Sequence, residues 1–164
     1  MVCMCGQKPY EYTYAMKVRD AGLRMEFIKS WVRGVYQGLQ TVDDETAKKI
    51  LSKAGADCAK IYLRVYGRDL SKMTLDEWLK TEAEMGGRVE RKEEYIIYEF
   101  TPAKCECLLV EEGIVPLTPK LCSSCFTNWL EYQFQVMTGR RVRAELVESL
   151  ATGADRCVFR IWLK

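Results

Sequence analysis

The spacing of hydrophobic residues changes character along the chain. Between residues 18 and 39, Leu23, Phe27, Trp31 and Val35 recur every four residues, with Ile28 and Val32 beside them. That spacing predicts an amphipathic helix. Such a stripe usually faces a core, so Met25, Phe27 and Trp31 are expected to pack inside rather than line a ligand pocket. Gly34 and Gly38 weaken the helix end. A second helix is predicted from Asp43 or Asp44, whose carboxylates suit the free N–H groups of a first turn. It carries Ala47, Ile50, Leu51 and Ala54 on one face. Gly55 is expected to end or bend it, which leaves Cys58 near the start of the apolar segment Ala59 to Tyr66. Thr74-Leu-Asp-Glu77 has the form of a capping box. It opens a short helix through Leu75, Trp78, Leu79 and Ala83, stopped at Gly86-Gly87.

The pattern then turns extended. Glu94 to Phe100 is rich in aromatic and β-branched residues, and Leu108 to Val110 continues the theme after Pro102. Pro116 and Pro119 bracket a turn. Leu121, Cys125, Trp129 or Leu130, Phe134 and Met137 restore a helical beat from Lys120 to Met137, with Thr138-Gly139 as its stop. Two closing strands follow, Val142 to Leu150 and Cys157 to Leu163, joined by a turn at Thr152-Gly153-Ala154-Asp155; Val158, Arg160 and Trp162 alternate with Phe159, Ile161 and Leu163. Helices first and an antiparallel sheet later predict an α+β fold, with N-terminal helices packed on the sheet and a helix between sheet strands.

A chain of 164 residues suits one domain spanning 1–164, with residues 1–14 read as a mobile terminus and 104–163 as a cysteine-rich sheet portion. Net charge is +2, from 25 basic and 23 acidic residues, too near neutral for a phosphate-binding surface, so nucleic acid is not expected as a partner. The densest basic stretch, Arg140-Arg141-x-Arg143, is followed by Glu145 and Glu148 and reads as a solvated strand face. No apolar run approaches the roughly 20 residues that cross a bilayer. Residues 1–14 hold no apolar core of signal-peptide length, so no membrane association and a cytoplasmic location are expected.

Composition redirects attention to sulfur. The chain has eight cysteines and no histidine. A domain of this size needs no disulfide staples, which favours metal binding or thiol chemistry over a disulfide framework. The absent histidine excludes a Cys-His pair, a Ser-His-Asp triad, a histidine zinc ligand and a histidine-ligated haem. Cys105-x-Cys107 and Cys122-x-x-Cys125 form the leading constellation. A bend at a strand end turns the first pair to one point, and the second pair falls at i, i+3 on an expected first helical turn, where the helix's positive end favours thiolates. Two such pairs suit a tetrahedral four-thiolate site, for zinc first and an iron–sulfur cluster second. Thiol redox or nucleophilic chemistry is an alternative, with a carboxylate such as Glu106, Glu131 or Glu148, or a second thiolate, as the base, and so is simple burial. Cys58 and Cys157 are secondary candidates. Cys3 and Cys5 receive no role.

The segments Thr138-Gly-Arg-Arg-Val-Arg-Ala-Glu-Leu-Val-Glu-Ser149 and Gly153-Ala-Asp-Arg-Cys157-Val-Phe159-Arg-Ile161 resemble the ending of the 4-vinyl reductase (hydrocarbon-binding) domain superfamily. Cys105-x-Cys-Leu-Leu-Val110, Leu121-Cys-Ser-Ser-Cys125 and Gly55-Ala-Asp-Cys58 further resemble its L-2-amino-thiazoline-4-carboxylic acid hydrolase-like branch. The resemblance implies an α+β homodimer with a pocket for a small, often hydrophobic ligand. In zinc-containing sensor members the closing hairpin supplies a glutamate and two cysteines. Cys157 matches the last of these, whereas Ser149 stands at the middle cysteine and Leu146 at the glutamate, with Glu145 and Glu148 flanking. The expected function is therefore a small-molecule-binding domain with a cysteine–metal site. The alternative is a cysteine-dependent hydrolase of a small cyclic amidine or thiazoline carboxylate, anchored by Arg140 or Arg141.

Overall fold

The computed structural model describes residues 20–164; the expectations for residues 1–14, including Cys3 and Cys5, fall outside them. The fold is α+β. Helix α1 (Ala21–Leu39) starts where the Asp20 carboxylate accepts the Leu23 N–H at 2.9 Å. Helix α2 (Asp44–Ile50) is capped in the same way by Asp43, with acids in its first turn and lysines in its last. Helix α3 (Ser52–Val65) follows at once, after Leu51. Gly55 therefore lies inside α3 rather than at a helix end, and the reason is packing. A Cβ there would sit 2.5 Å from the Cys125 carbonyl oxygen and 2.7 Å from Asn128 Cβ. Helix α4 (Leu75–Glu84) carries the expected capping box of Thr74 and Glu77.

The sheet is wholly antiparallel, ordered β1 (Arg88–Arg91), β2 (Tyr95–Phe100), β4 (Cys157–Leu163), β3 (Val142–Glu148). The edge strand β1 has no signal in the sequence, because Arg-Val-Glu-Arg presents one apolar residue to the core side. Between β2 and β3 run the one-turn helices α5 (Leu108–Glu111) and α6 (Pro119–Leu121), a π-helical turn over Cys122–Phe126, and helix α7 (Thr127–Thr138). The Leu108–Val110 stretch is thus helical, where its apolar run predicts extension. The helix expected from Lys120 to Met137 forms, interrupted by the π-turn, and ends at Gly139 with φ 65°.

One face of the sheet is covered by helices. Ile96 and Tyr98 of β2, Phe159 and Ile161 of β4, and Val142 and Ala144 of β3 pack against Leu130 and Phe134 of α7 and the wholly buried Trp78 of α4. A largely buried polar thread runs through this layer. Glu82 accepts hydrogen bonds from Arg68 at 2.8 Å and Tyr98 at 2.7 Å, while Trp78 donates to Gln133 at 3.3 Å. Burial and the neighbouring Glu82 raise the Tyr98 phenol well above its ordinary value.

The apolar stripe of α1 departs from the core reading. Leu23, Met25, Phe27, Ile28, Trp31 and Val35 are exposed, with Trp31 at 62%, and it is Tyr36 and Leu39 that are buried. Tyr36, Val115 and Leu121 form a second small cluster, and α1 is further tied to the loop at residues 112–118. Lys29 bonds Glu112, Arg33 donates to the Ile114 carbonyl, and the Tyr36 and Thr118 hydroxyls bond each other. No helix among the described residues is long and apolar enough to cross a membrane.

Candidate functional site

Four separate parts of the chain bring the cysteines toward one region. Cys157 opens β4 opposite Phe100, the last residue of β2. The loop that leaves Phe100 carries Cys105 and Cys107, so antiparallel pairing places that loop beside Cys157. The π-turn carries Cys122 and Cys125 and packs on α2, α3, α7 and β3. Cys58 lies three residues beyond Gly55 on α3, one turn along the face that meets the Cys125 carbonyl. The six cysteines among the described residues are free thiols; Cys157 is buried, Cys58 is exposed, and the other four are half-buried.

Five of these thiols are raised above their ordinary value. Burial is the main influence and pushes Cys122 up to about 11 and Cys125 up to about 12. Anionic charge on Cys105, Cys107 and Cys157 opposes ionisation of Cys122, and charge on Cys58, Cys107 and Cys122 opposes that of Cys125. Burial likewise raises Cys58, with Cys107 adding to it, and raises Cys105 and Cys157. The expectation that a helix N-terminus would favour thiolates at Cys122 and Cys125 is overturned. One turn of α6 precedes them, Thr118 and Pro119 occupy the start, and burial dominates.

The π-turn shapes the second pair. In an α-helix, residues i and i+3 lie nearly in line, and the wider π-turn swings them apart. Side chains stabilise the widened turn. Thr127 donates to the Ser123 carbonyl at 2.6 Å, and the Asn128 amide donates to the carbonyls of Ser124 at 2.6 Å and Lys48 at 2.8 Å. Two hydroxyls are wholly buried nearby: Ser124 Oγ within the π-turn, which has no hydrogen-bond partner, and Ser149 Oγ after β3, whose neighbour is the Cys122 thiol. Ser149 lies near enough to Cys122 to favour its thiolate. Sequence reasoning gave Ser149 no role, because a serine at the resemblance's cysteine position reads as a lost ligand.

The candidate bases separate. Glu131 is held by Lys48 at 2.6 Å and by the Ala144 N–H at 2.8 Å, and Glu148 by Arg156 at 2.5 Å. Glu106 is the one whose charge reaches Cys105 and Cys157. Arg140 does not join the thiols. It donates to the Leu163 carbonyl and lines a depression of about 500 Å³ with Arg91, Lys92 and Tyr95. Register sets Tyr95 opposite Trp162 and Phe100 opposite Cys157, so the depression and the thiols lie at opposite ends of β2, roughly 17 Å apart at 3.3–3.4 Å per residue. A second, polar depression of about 300 Å³ is bounded by Lys48, Asn128 and Glu131.

The donor set is all sulfur, and the buried Ser149 hydroxyl adjoins it at Cys122, a combination whose chemistry suits a thiophilic metal. Among the described residues, no group of three His, Cys, Asp or Glu side chains already stands at metal-holding separation.

No family model and no curated protein matches the chain. Among solved structures it is similar to a trafficking protein particle complex subunit 3 from Naegleria fowleri, covalently bound to palmitic acid. The TM-score is 0.51 at 13% identity, covering 87% of this chain and 96% of that one. The two share a fold. A vinyl-4-reductase family protein from Methanocaldococcus jannaschii also matches, with TM-score 0.43 and 15% identity over 85% of this chain and 81% of that one.

Proposed function

We propose that the chain is a small-molecule-binding domain carrying a cysteine-thiolate metal site, with zinc the first candidate and Cys105, Cys107, Cys122 and Cys125 its ligands. The observation that supports the metal reading is that the two pairs are free, half-buried thiols, one on the loop that leaves β2 beside Cys157 and the other on the π-turn that packs on β3. Zinc binding would ionise thiols that burial holds neutral, and the metal would supply structural stabilisation to the 101–107 loop and the π-turn. An iron–sulfur cluster would use the same four sulfurs and is the second candidate. The small-molecule reading draws on the shared fold with a palmitic acid-bearing protein; a hydrophobic ligand such as a long acyl chain is the class to test.

The hydrolase reading needs a thiolate near neutral pH, and burial moves Cys122 and Cys125 the other way. The exposed apolar face of α1 supports a homodimer, since six large side chains on one 19-residue helix exceed the scattered exposure normal for a monomer.

The test is metal content of protein purified without a histidine tag, beside the Cys122→Ser variant, with palmitic acid binding measured by displacement of a fluorescent fatty acid. Bound zinc that is lost together with stability in the variant is the expected result. Absence of metal, with unchanged stability in the variant, would refute the metal site. Absence of displacement would refute the acyl-ligand class.

A further inference from the structure

Helices cover one face of the sheet, and strand alternation assigns Tyr95, Ile97 and Glu99 of β2 and Val158, Arg160 and Trp162 of β4 to the other. The edge strands add Arg88 and Glu90 from β1 and Arg143 and Glu145 from β3. The two middle strands thus carry Tyr95, Ile97, Val158 and Trp162 between flanks of charge. Arg160 stands among these apolar side chains. Its guanidinium carbon lies 5.1 Å from the Tyr95 ring centroid and 5.6 Å from that of Trp162, and its Nε is buried without a hydrogen-bond partner. The acids that could neutralise it are engaged elsewhere. Glu145, directly opposite in the register, is 2.6 Å from Arg143; Glu99 faces Arg156 at 3.6 Å, and Glu90 bonds Lys92. A half-buried guanidinium that touches rings and lacks a carboxylate is an uncompensated charge.

We propose that this face docks an amphipathic helix of a partner protein, one that carries a carboxylate within its apolar stripe. The dimensions set the size of the occupant. Four strands spaced about 4.8 Å apart, with about six residues each rising about 3.4 Å, make a face of roughly 14 by 20 Å, about 300 Å². A standard interface takes about 800 Å² from each protein, more than this face supplies. A helix about 10–12 Å across and about 14 residues long covers it. Such a helix would do on this side what α7 does on the other. Trp, Tyr and Arg are the residue types that dominate binding energy at interface centres, and the flanking ion pairs supply a polar rim. Charge selects against a second copy, because a two-fold axis through the middle of the face would set Arg160 against its own counterpart. A carboxylate on the docked helix instead gives the guanidinium a charge-assisted acceptor sheltered from water.

The probe is a phage-displayed library of peptides about 14 residues long, with helix-forming residues fixed on one face and the other face randomised, selected on the full chain. Peptides that enrich are expected to hold Asp or Glu among aliphatic and aromatic residues. A synthetic copy of the leading peptide should bind Arg160→Gln and Trp162→Ala at least about tenfold more weakly than the wild-type chain. Arg160→Lys keeps the charge but loses the planar fork, and should fall between. Arg64→Gln, at an exposed arginine of α3, and Trp31→Glu on α1 should leave the affinity unchanged. Circular dichroism and the thermal midpoint establish that each variant is folded. Enriched peptides without an acidic residue, affinity indifferent to Arg160→Gln, or failure of any peptide to enrich would each overturn the proposal. A mass in light scattering that halves in Arg160→Gln would assign the face to a second copy and overturn the helix partner.

Discussion

Gly55→Ala discriminates sharply between a helix that merely tolerates glycine and one that requires it. An alanine Cβ at this position would lie 2.5 Å from the Cys125 carbonyl oxygen, 2.7 Å from Asn128 Cβ and 3.1 Å from the Trp129 nitrogen. Two of those atoms are backbone, so relief requires α3 to move away from the π-turn. Inserting a methyl into such packing costs about 1–3 kcal/mol, and the backbone neighbours place this case at the upper end. Alanine's better helix propensity offsets about 1 kcal/mol. The net expectation is a loss of about 2 kcal/mol, read as a lower urea midpoint at unchanged slope. Gly34→Ala and Gly38→Ala are the controls. They lie inside α1, a Cβ on either meets nothing within 4 Å, and each should stabilise by roughly 0.5–1 kcal/mol. Alkylation of Cys125 in the native state should also accelerate in Gly55→Ala, because the carbonyl that must give way is its own. A Gly55→Ala protein as stable as wild type, or stabilised like the α1 controls, would refute the close approach of α3 to the cysteine-bearing turn.

Other perturbations test other parts of the same account. Glu82→Ala leaves the nearly buried Arg68 guanidinium without its 2.8 Å partner and removes the acceptor of Tyr98, so unfolding measurements should show a loss of about 3–5 kcal/mol. Asn128→Ala frees two carbonyls that the amide now bridges, in α2 and the π-turn, and should lower the thermal midpoint by the equivalent of about 1–3 kcal/mol. In chelator-treated protein, folded Cys122 and Cys125 hold their protons to about 11 and about 12, while an ordinary thiol ionises near 9.0. Above pH 9.0 the unfolded chain therefore binds fewer protons than the folded one. Stability, full below that pH, should fall from there to about 12. Cys122→Ala with Cys125→Ala should flatten that fall; an equally steep decline would show that other groups cause it. Trp31→Glu, on the most exposed part of the α1 stripe, should turn a dimer into a monomer in light scattering while far-UV circular dichroism stays unchanged.

Local chemistry explains what was legible without a structure. The Thr74–Glu77 capping box, the Asp43 cap, the stop at Gly139 and the alternation in β4 each depend on residues within a few positions, and all form as read. The α+β class followed from the order of those periods, and the cysteine spacing marked the region to examine. Tertiary structure decided the rest. The α1 stripe has the period of a core helix, but period states only that one face is apolar, and in this fold that face is exposed. Gly55 reads as a breaker because glycine lowers helix propensity, whereas its place inside α3 is set by the backbone of a turn some seventy residues later. The apolar run at Leu108–Val110 has no period long enough to separate strand from helix, and the chain resolves it as one helical turn. Above all, spacing along the chain paired Cys105 with Cys107 and Cys122 with Cys125. The approach of Cys58 and Cys157, the π-turn that separates the second pair, and the burial that keeps its thiols protonated come from the packing of α3, β4 and the 101–107 loop. Those are long-range contacts, and no local pattern in the sequence encodes them.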